Sequence, residues 1–176
     1  MNETVKTLLE RRSIRKYQPR QVEAAALEEI LKAGTYAPSA MGKQSATIVL
    51  VQDPETIAQL SQLNAEIQGN PGADPFYGAP TVAVVLADPT LTNEANARCD
   101  GALVMGNLMN AAAAEGVGSC WINRAKETFE RPEGKALLKK WNLPETLIGV
   151  GNCVLGYAAM EPNAPAPRKD GYIIRV

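Results

Sequence analysis

The 176-residue chain contains no histidine. This absence excludes Ser-His-Asp and Cys-His catalytic arrangements, histidine metal ligands and imidazole acid–base chemistry near neutral pH. Neither sign of charge is in excess, because 18 Lys and Arg residues stand against 19 Asp and Glu residues and the net charge is -1. Nucleic-acid-binding domains are usually basic, so this balance argues against a nucleic-acid partner.

Cysteines and long apolar runs are also scarce. The three cysteines form no Cys-x-x-Cys pair, which favours buried thiols over a disulfide framework, a zinc site or a thioredoxin-like motif. The longest apolar runs, such as 81–87, are too short to cross a bilayer, and no apolar segment precedes a cleavage site. We therefore expect a cytoplasmic protein with no membrane partner and no metal, folded as one domain over residues 1–176.

The apolar pattern predicts helices and strands in mixed order. Aromatic residues make up only 5% of the chain although 45% is apolar, so alanine fills much of the core. Helices are expected over 2–11, 22–35, 53–68, 93–115 and 132–141, and strands over 46–51, 81–87, 116–122 and 148–157. The two types do not alternate strictly, which favours an α+β fold, or an α/β fold with a mixed sheet.

For three segments the sequence alone does not determine what they pack against. The small residues of helix 93–115 suit a central helix at a dimer interface and an ordinary core helix equally well. The polar loop 70–75 is either a surface excursion or a flap, and the stretch 64–77 is expected to shape a pocket for an electron acceptor or other substrate. The proline-rich tail must be extended, and its strand-like end at 172–176 is expected to dock rather than fray.

A basic cluster follows the first helix and contains Arg11, Arg12, Ser13 and Arg15. Three guanidinium groups within five residues can converge on a phosphate, which arginine matches with paired hydrogen bonds. The alternative is a solvated basic end that interacts with the C-terminal dipole of the first helix. Composition alone favours the alternative.

Three further segments could contact a ligand. Residues 37–44 form a loop of small residues, a hydroxyl and amides that suits a planar heterocycle or a plain turn. Residues 116–124 contain glycines that admit a ligand to the backbone, but they enter a strand rather than a helix, so they are not a dinucleotide fingerprint. Residues 165–169 place a second basic spot on the extended tail.

In this order the four segments make the chain similar to the nitroreductase family of FMN-dependent oxidoreductases. The similarity is carried by Arg-Arg-Ser-Ile-Arg-Lys-Tyr, Ala-Pro-Ser-Ala-Met-Gly-Lys-Gln, Glu-Gly-Val-Gly-Ser-Cys-Trp-Ile, and Gly-Asn-Cys-Val-Leu-Gly-Tyr followed by Pro-Arg-Lys, and it covers about residues 4–170. It implies an α+β fold with a mixed, mainly antiparallel sheet flanked by helices. It also implies an interlocked homodimer with FMN at the interface and the tail 158–176 reaching onto the partner subunit.

The resemblance also assigns roles to residues, each implied only by the match. The phosphate side of FMN would be held by Arg11, Ser13 and Arg15, with Arg12 on the ribityl side, and by Arg168 and Lys169 returning from the tail. The ring or ribityl chain would be contacted by Pro38, Ser39 and Gln44, of which the partner subunit supplies Pro38 and Ser39. The backbone of Ile122, Asn123 and Arg124 would lie along the ring, where an N–H would meet flavin N5.

The chain departs from the family pattern at Gly42, where asparagine is common, and at Ser45, where proline is common. The implied function is electron transfer from NADH or NADPH through FMN to nitroaromatic, quinone or similar acceptors by a ping-pong mechanism, with no catalytic side chain. Positive charge that stabilises the reduced flavin would come from Arg12, Lys43 or Arg124. The alternatives are an FMN-dependent dehydrogenase that uses no nicotinamide, a non-catalytic flavin-binding dimer, and a structural protein.

Overall fold

A computed structural model describes all residues, 1–176. It contains six α-helices and one four-stranded sheet. The helices are α1 (Glu3–Glu10), α2 (Ala24–Thr35), α3 (Pro54–Ile67), α4 (Glu94–Ala114), α5 (Ala125–Glu130) and α6 (Pro132–Lys140). The strands are β1 (Ala46–Val51), β2 (Thr81–Ala87), β3 (Gly118–Ile122) and β4 (Ile148–Gly156), and a short 3-10 turn covers Ala40–Gly42.

The strands lie in the order β1-β2-β4-β3, and every neighbouring pair is antiparallel. The two central strands are nearly continuous apolar runs, as expected for strands covered on both faces. The only parallel pairing is a single bridge between Ser13 and Ser119. The α+β class and the mainly antiparallel sheet flanked by helices are therefore confirmed.

Two apolar cores cover the two faces of the sheet. One core contains Phe76, Phe129 and Leu60, so two of the few aromatic residues fill it. The other lies under α2 and α4, with Ile30 and Met105 fully buried. Helix α4 lies flat on β4 because residue 101 is glycine: a Cβ there would lie 2.6 Å from a methyl group of Val150.

Nine of the eleven structural elements match the sequence prediction to within two residues at each end. Helix α5 was not expected, because a six-residue helix is too short to show an apolar period. The strand-like segment 172–176 pairs with no strand within this chain, and its four apolar side chains are exposed, so its docking onto a partner subunit stays a prediction. β-branched residues favour a strand only where a partner edge is available to them.

Candidate functional site

The segment 11–18 runs extended along the edge of the sheet, between β3 and the chain that leaves β4. The backbone N–H of Ile14 donates to the Ser119 carbonyl at 2.9 Å, and that of Gln18 donates to the Tyr157 carbonyl at 2.9 Å. The buried Ile14 and Tyr17 side chains anchor the segment in one core. This pairing fixes the backbone that carries the basic cluster.

Four arginine residues line one cavity of about 420 Å³, which we call the arginine cavity. Its lining residues are Arg11, Arg12, Ser13, Arg15, Met160, Pro162, Asn163, Pro165 and Arg168. No carboxylate is among them, so the positive charge is not neutralised within the cavity. Such a concentration of planar donors suits a phosphate or another multivalent anion.

Arg11, which lines this cavity, carries a donor that is both buried and unpaired. The Nη1 atom of Arg11 is inaccessible to solvent and has no hydrogen-bond partner. An unpaired buried donor costs about 1–3 kcal/mol, and more when it is charged. An anionic oxygen would remove this cost, so the residues present fit the phosphate of a bound FMN.

Arg12 differs from its neighbours because its guanidinium is already engaged. Its Nη1 atom donates to the Leu9 carbonyl at 2.8 Å and to the Arg11 carbonyl at 2.7 Å, at the C-terminus of α1. The helix-end alternative to phosphate binding therefore describes Arg12, and it describes neither Arg11 nor Arg15.

The two basic residues of the tail separate in the structure. Arg168 lines the arginine cavity together with the N-terminal cluster, 140 or more positions away in sequence. Lys169 does not line the cavity, and its ammonium lies 5.7 Å from the ring centroid of Tyr172.

Pro38, Ser39 and Gln44 line a second cavity of about 260 Å³, between the loop and helix α4. The loop turns sharply, with left-handed φ angles of 52° at Met41, 66° at Gly42 and 50° at Gln44. The hydroxyl of Ser39 accepts a hydrogen bond from the backbone N–H of Gln44 at 2.9 Å, which closes the turn. Glycine at position 42 suits this turn, since L side chains rarely adopt a positive φ.

Asp100 of α4 holds this loop, and sequence reasoning gave it no role. Its carboxylate accepts from the Ala40 N–H at 2.8 Å and from the Ser45 hydroxyl at 2.6 Å. The serine that replaces the common proline at position 45 therefore has a partner of its own. A buried position on α4 that faces the loop was the only available signal, and a single aspartate does not reveal its partners.

Ile122, Asn123 and Arg124 lie together where β3 ends and α5 begins, and Arg124 has a left-handed φ of 72°. The side-chain amide of Asn64 donates to the Asn123 carbonyl at 2.7 Å and accepts from the Arg124 Nε at 2.9 Å. Gln68 accepts from the Arg124 Nη2 at 3.1 Å. Amides, rather than carboxylates, thus hold this guanidinium, so no ion pair within the chain neutralises it.

Burial raises the pKa of two protonatable side chains near these segments. Burial raises the pKa of the Tyr17 phenol well above its ordinary value of 10.0, and its hydroxyl donates to the Ile14 carbonyl at 2.8 Å. Burial raises the pKa of the Cys153 thiol to about 12, with Cys120 adding to the rise and Arg11 opposing it. Neither group can exchange a proton readily at pH 7.

The arginine cavity and the loop cavity share no lining residue within this chain. No group of three or more Cys, Asp or Glu side chains is placed to hold a metal ion. No helix combines the length and apolar character needed to cross a membrane.

Comparison with known proteins places the chain in a family. The nitroreductase family model matches residues 8–157. An Archaeoglobus fulgidus protein named for NADH dehydrogenase and NAD(P)H nitroreductase activity is 32% identical, with 98% of this chain and 91% of that protein covered. The FMN reductase [NAD(P)H] of Bacillus subtilis is 27% identical, with 96% and 70% covered.

Solved structures agree in fold. The crystal structure of a Bacteroides fragilis nitroreductase with bound FMN superimposes with a TM-score of 0.90 at 30% identity, covering 100% of both chains. A Desulfitobacterium hafniense nitroreductase with bound FMN gives a TM-score of 0.89 at 26% identity, covering 100% of this chain and 99% of that one. The chain belongs to the nitroreductase family of oxidoreductases.

Proposed function

We propose that this protein is an FMN-dependent oxidoreductase that passes electrons from NADH or NADPH to nitroaromatic, quinone or similar acceptors by a ping-pong mechanism. Family membership supports the reaction class, as do the names of the relatives and the FMN bound in two similar structures. The observation that carries the proposal for this chain is the arginine cavity with its unpaired Arg11 donor.

The arginine cavity would hold the FMN phosphate. Arg11 would pair its buried donor with a phosphate oxygen, while Ser13, Arg15 and Arg168 would bind from the same lining. Lys169 follows Arg168 in sequence, but its ammonium lies near the Tyr172 ring, so it would reach the phosphate only if the tail moved. Arg12 would lie beside the ribityl chain while it continues to cap α1.

The residues 122–124 would lie along the flavin ring. Bound FMN supplies the redox chemistry, accepting a hydride from the nicotinamide in one half-reaction and reducing the acceptor in the next. The hydrogen bonds from Asn64 fix the backbone at Asn123 and the Arg124 side chain, so the peptide N–H groups there are held for the ring. Arg124 would also place positive charge beside it. Protons would come from water, because burial raises the pKa of the Tyr17 phenol and of the Cys153 thiol away from neutrality.

The site would be completed by a second copy of the chain, in an interlocked homodimer. Pro38, Ser39 and Gln44 line a cavity apart from the arginine cavity, as expected if each copy contributes one part to two sites. Large apolar side chains are exposed on this chain at Val5, Leu8, Leu9, Tyr36, Met41, Leu103, Tyr172, Ile173 and Ile174. A soluble chain rarely leaves so many large apolar side chains uncovered, so we assign these side chains to the dimer interface, with the tail 158–176 lying on the partner. We also place the 1–176 domain in the cytoplasm.

The test is the cofactor content and native mass of the purified protein. We expect a yellow protein with flavin absorption bands, one FMN per chain, and a native mass of twice 18.8 kDa. A colourless protein that takes up no added FMN would refute the proposal. Bound flavin that neither NADH nor NADPH reduces would favour the dehydrogenase alternative, and flavin that no acceptor reoxidises would favour a binding protein.

A further inference from the structure

We propose that Asp100 is a positioning residue that sets the conformation of the flavin-contacting loop 38–45 through a charged, two-point hydrogen-bonded clamp. The inference rests on the proposed function in one respect, namely that the loop contacts flavin. The clamp itself joins Oδ1 of Asp100 to the Ala40 N–H at 2.8 Å and Oδ2 to the Ser45 hydroxyl at 2.6 Å.

The carboxylate has no other partner that would explain its burial. Asp100 is 3% exposed, and no Lys or Arg nitrogen lies within 4 Å of it. A buried charge without a counter-ion is costly unless hydrogen bonds compensate it, and both of its hydrogen bonds come from the loop. The compensation thus depends on the loop keeping this one shape.

The loop needs such a clamp because its own backbone is unfavourable. Three of its residues have left-handed φ angles, and two of them, Met41 and Gln44, are not glycine. Conformations of this kind persist only where the surroundings hold them. Met41 is 80% exposed, so packing against this chain does not hold the turn. Hydrogen bonds within the loop close it, and the clamp fixes its two ends to α4.

The clamp stands on a rigid base. The next residue on α4, Gly101, lies so close to Val150 of β4 that no Cβ fits between them. About two turns further along α4, the amide of Asn107 donates to the Ala33 carbonyl of α2 at 2.9 Å, which joins the two helices that flank the loop. The position of Asp100 relative to the sheet is therefore fixed, and the loop takes its position from Asp100.

The test compares Asp100→Ala and Asp100→Asn with Asp53→Ala as the matched control. Asp53 also accepts from a backbone N–H and a hydroxyl, at 2.9 and 2.5 Å, but both belong to Thr56 at the start of α3. Two readouts are used: amide hydrogen exchange of the peptide covering 36–46 in the FMN-free protein, and the FMN dissociation constant from quenching of flavin fluorescence. Ser45→Ala, which removes only one hydrogen bond, decides the matter if Asp100→Ala does not fold.

We expect Asp100→Ala to speed exchange in the loop and to raise the FMN dissociation constant at least about tenfold, the scale of one charge-assisted hydrogen bond. Asn keeps an acceptor for Ala40 but loses the charge, so the FMN dissociation constant of Asp100→Asn should lie between those of wild type and Asp100→Ala. Asp53→Ala should leave both readouts unchanged. Equal exchange and equal FMN binding in Asp100→Ala, faster exchange spread over the whole chain, or no rescue by Asn would overturn the inference. Wild-type protein that binds no FMN would refute the proposed function. Amide hydrogen exchange of the loop in the FMN-free protein would still show whether Asp100 sets the loop conformation.

Discussion

Replacing Arg11 with methionine should affect the FMN-free and FMN-bound proteins in opposite directions. In the FMN-free protein, the Nη1 atom of Arg11 is a buried donor with no partner. Methionine keeps an apolar stem of similar length and removes the donor. The substitution therefore removes a cost from the free protein and a binding contact from the complex.

The magnitudes follow from the two environments. An unpaired buried donor costs about 1–3 kcal/mol, part of which is offset by the packing that the guanidinium provides. We therefore expect the free energy of unfolding of FMN-free Arg11→Met to equal that of wild type or exceed it by about 1 kcal/mol. Loss of a charge-assisted hydrogen bond to phosphate costs about 1.5–3 kcal/mol, which raises the FMN dissociation constant about 10- to 150-fold.

The assay pairs urea unfolding of the FMN-free protein with fluorescence titration of FMN at two salt concentrations. Arg20→Met is the matched control, because Arg20 lies 3.6 Å from the ring centroid of Tyr157 and outside the arginine cavity. It should leave FMN affinity within about threefold. An Arg11→Met protein that loses more than about 1 kcal/mol of stability without FMN, or binds FMN as tightly as wild type, would refute the assignment of Arg11 to the phosphate.

Three further predictions test the fold. The expectation of buried thiols is wrong for Cys99, which is the one exposed cysteine, so a thiol reagent should modify one thiol in the native protein and all three after unfolding. Early modification of a second thiol would contradict the buried placement of Cys120 and Cys153. Hydrogen bonds from Thr56 hold the pKa of the Asp53 carboxyl below its ordinary value of 3.8. The stability that this carboxylate contributes is therefore present above that pH and is lost below it. Asp53→Asn should destabilise the protein at pH 7 and not at pH 2, as followed by thermal unfolding. A Cβ on Gly134 would lie 2.0 Å from the Thr128 carbonyl, so Gly134→Ala should cost about 1–3 kcal/mol, whereas Gly72→Ala should cost little.

The sequence was informative wherever a period or a run of residues carried the signal. The continuous apolar runs at 81–87 and 148–157 predicted the two central strands, which are buried on both faces. The tail end 172–176 carries the same composition and forms no strand in this chain. The composition of a segment indicates whether it can form a strand beside another strand. Whether a neighbouring strand is available depends on tertiary or quaternary structure.

The sequence predicted the segments that form the site, but not the hydrogen bonds that connect them. Arg11 and Arg168 were both candidates, and the fold brings them to one cavity. Asp100 was not a candidate, and Asn64 was named only as the first residue of a stretch expected to shape an acceptor pocket. Their partners are backbone groups distant in sequence: the Asp100 carboxylate accepts from the Ala40 N–H, and the Asn64 amide donates to the Asn123 carbonyl. A lone polar residue inside a helix has no local pattern that names its partner.

Anaerobic rapid mixing of the purified, FMN-loaded protein with NADH and with NADPH tests the central proposal most directly. We expect the flavin absorbance near 450 nm to bleach within the mixing series for at least one nicotinamide, and to return when a quinone or nitroaromatic acceptor is added afterwards. Flavin that stays oxidised with both nicotinamides would contradict an NAD(P)H-dependent oxidoreductase.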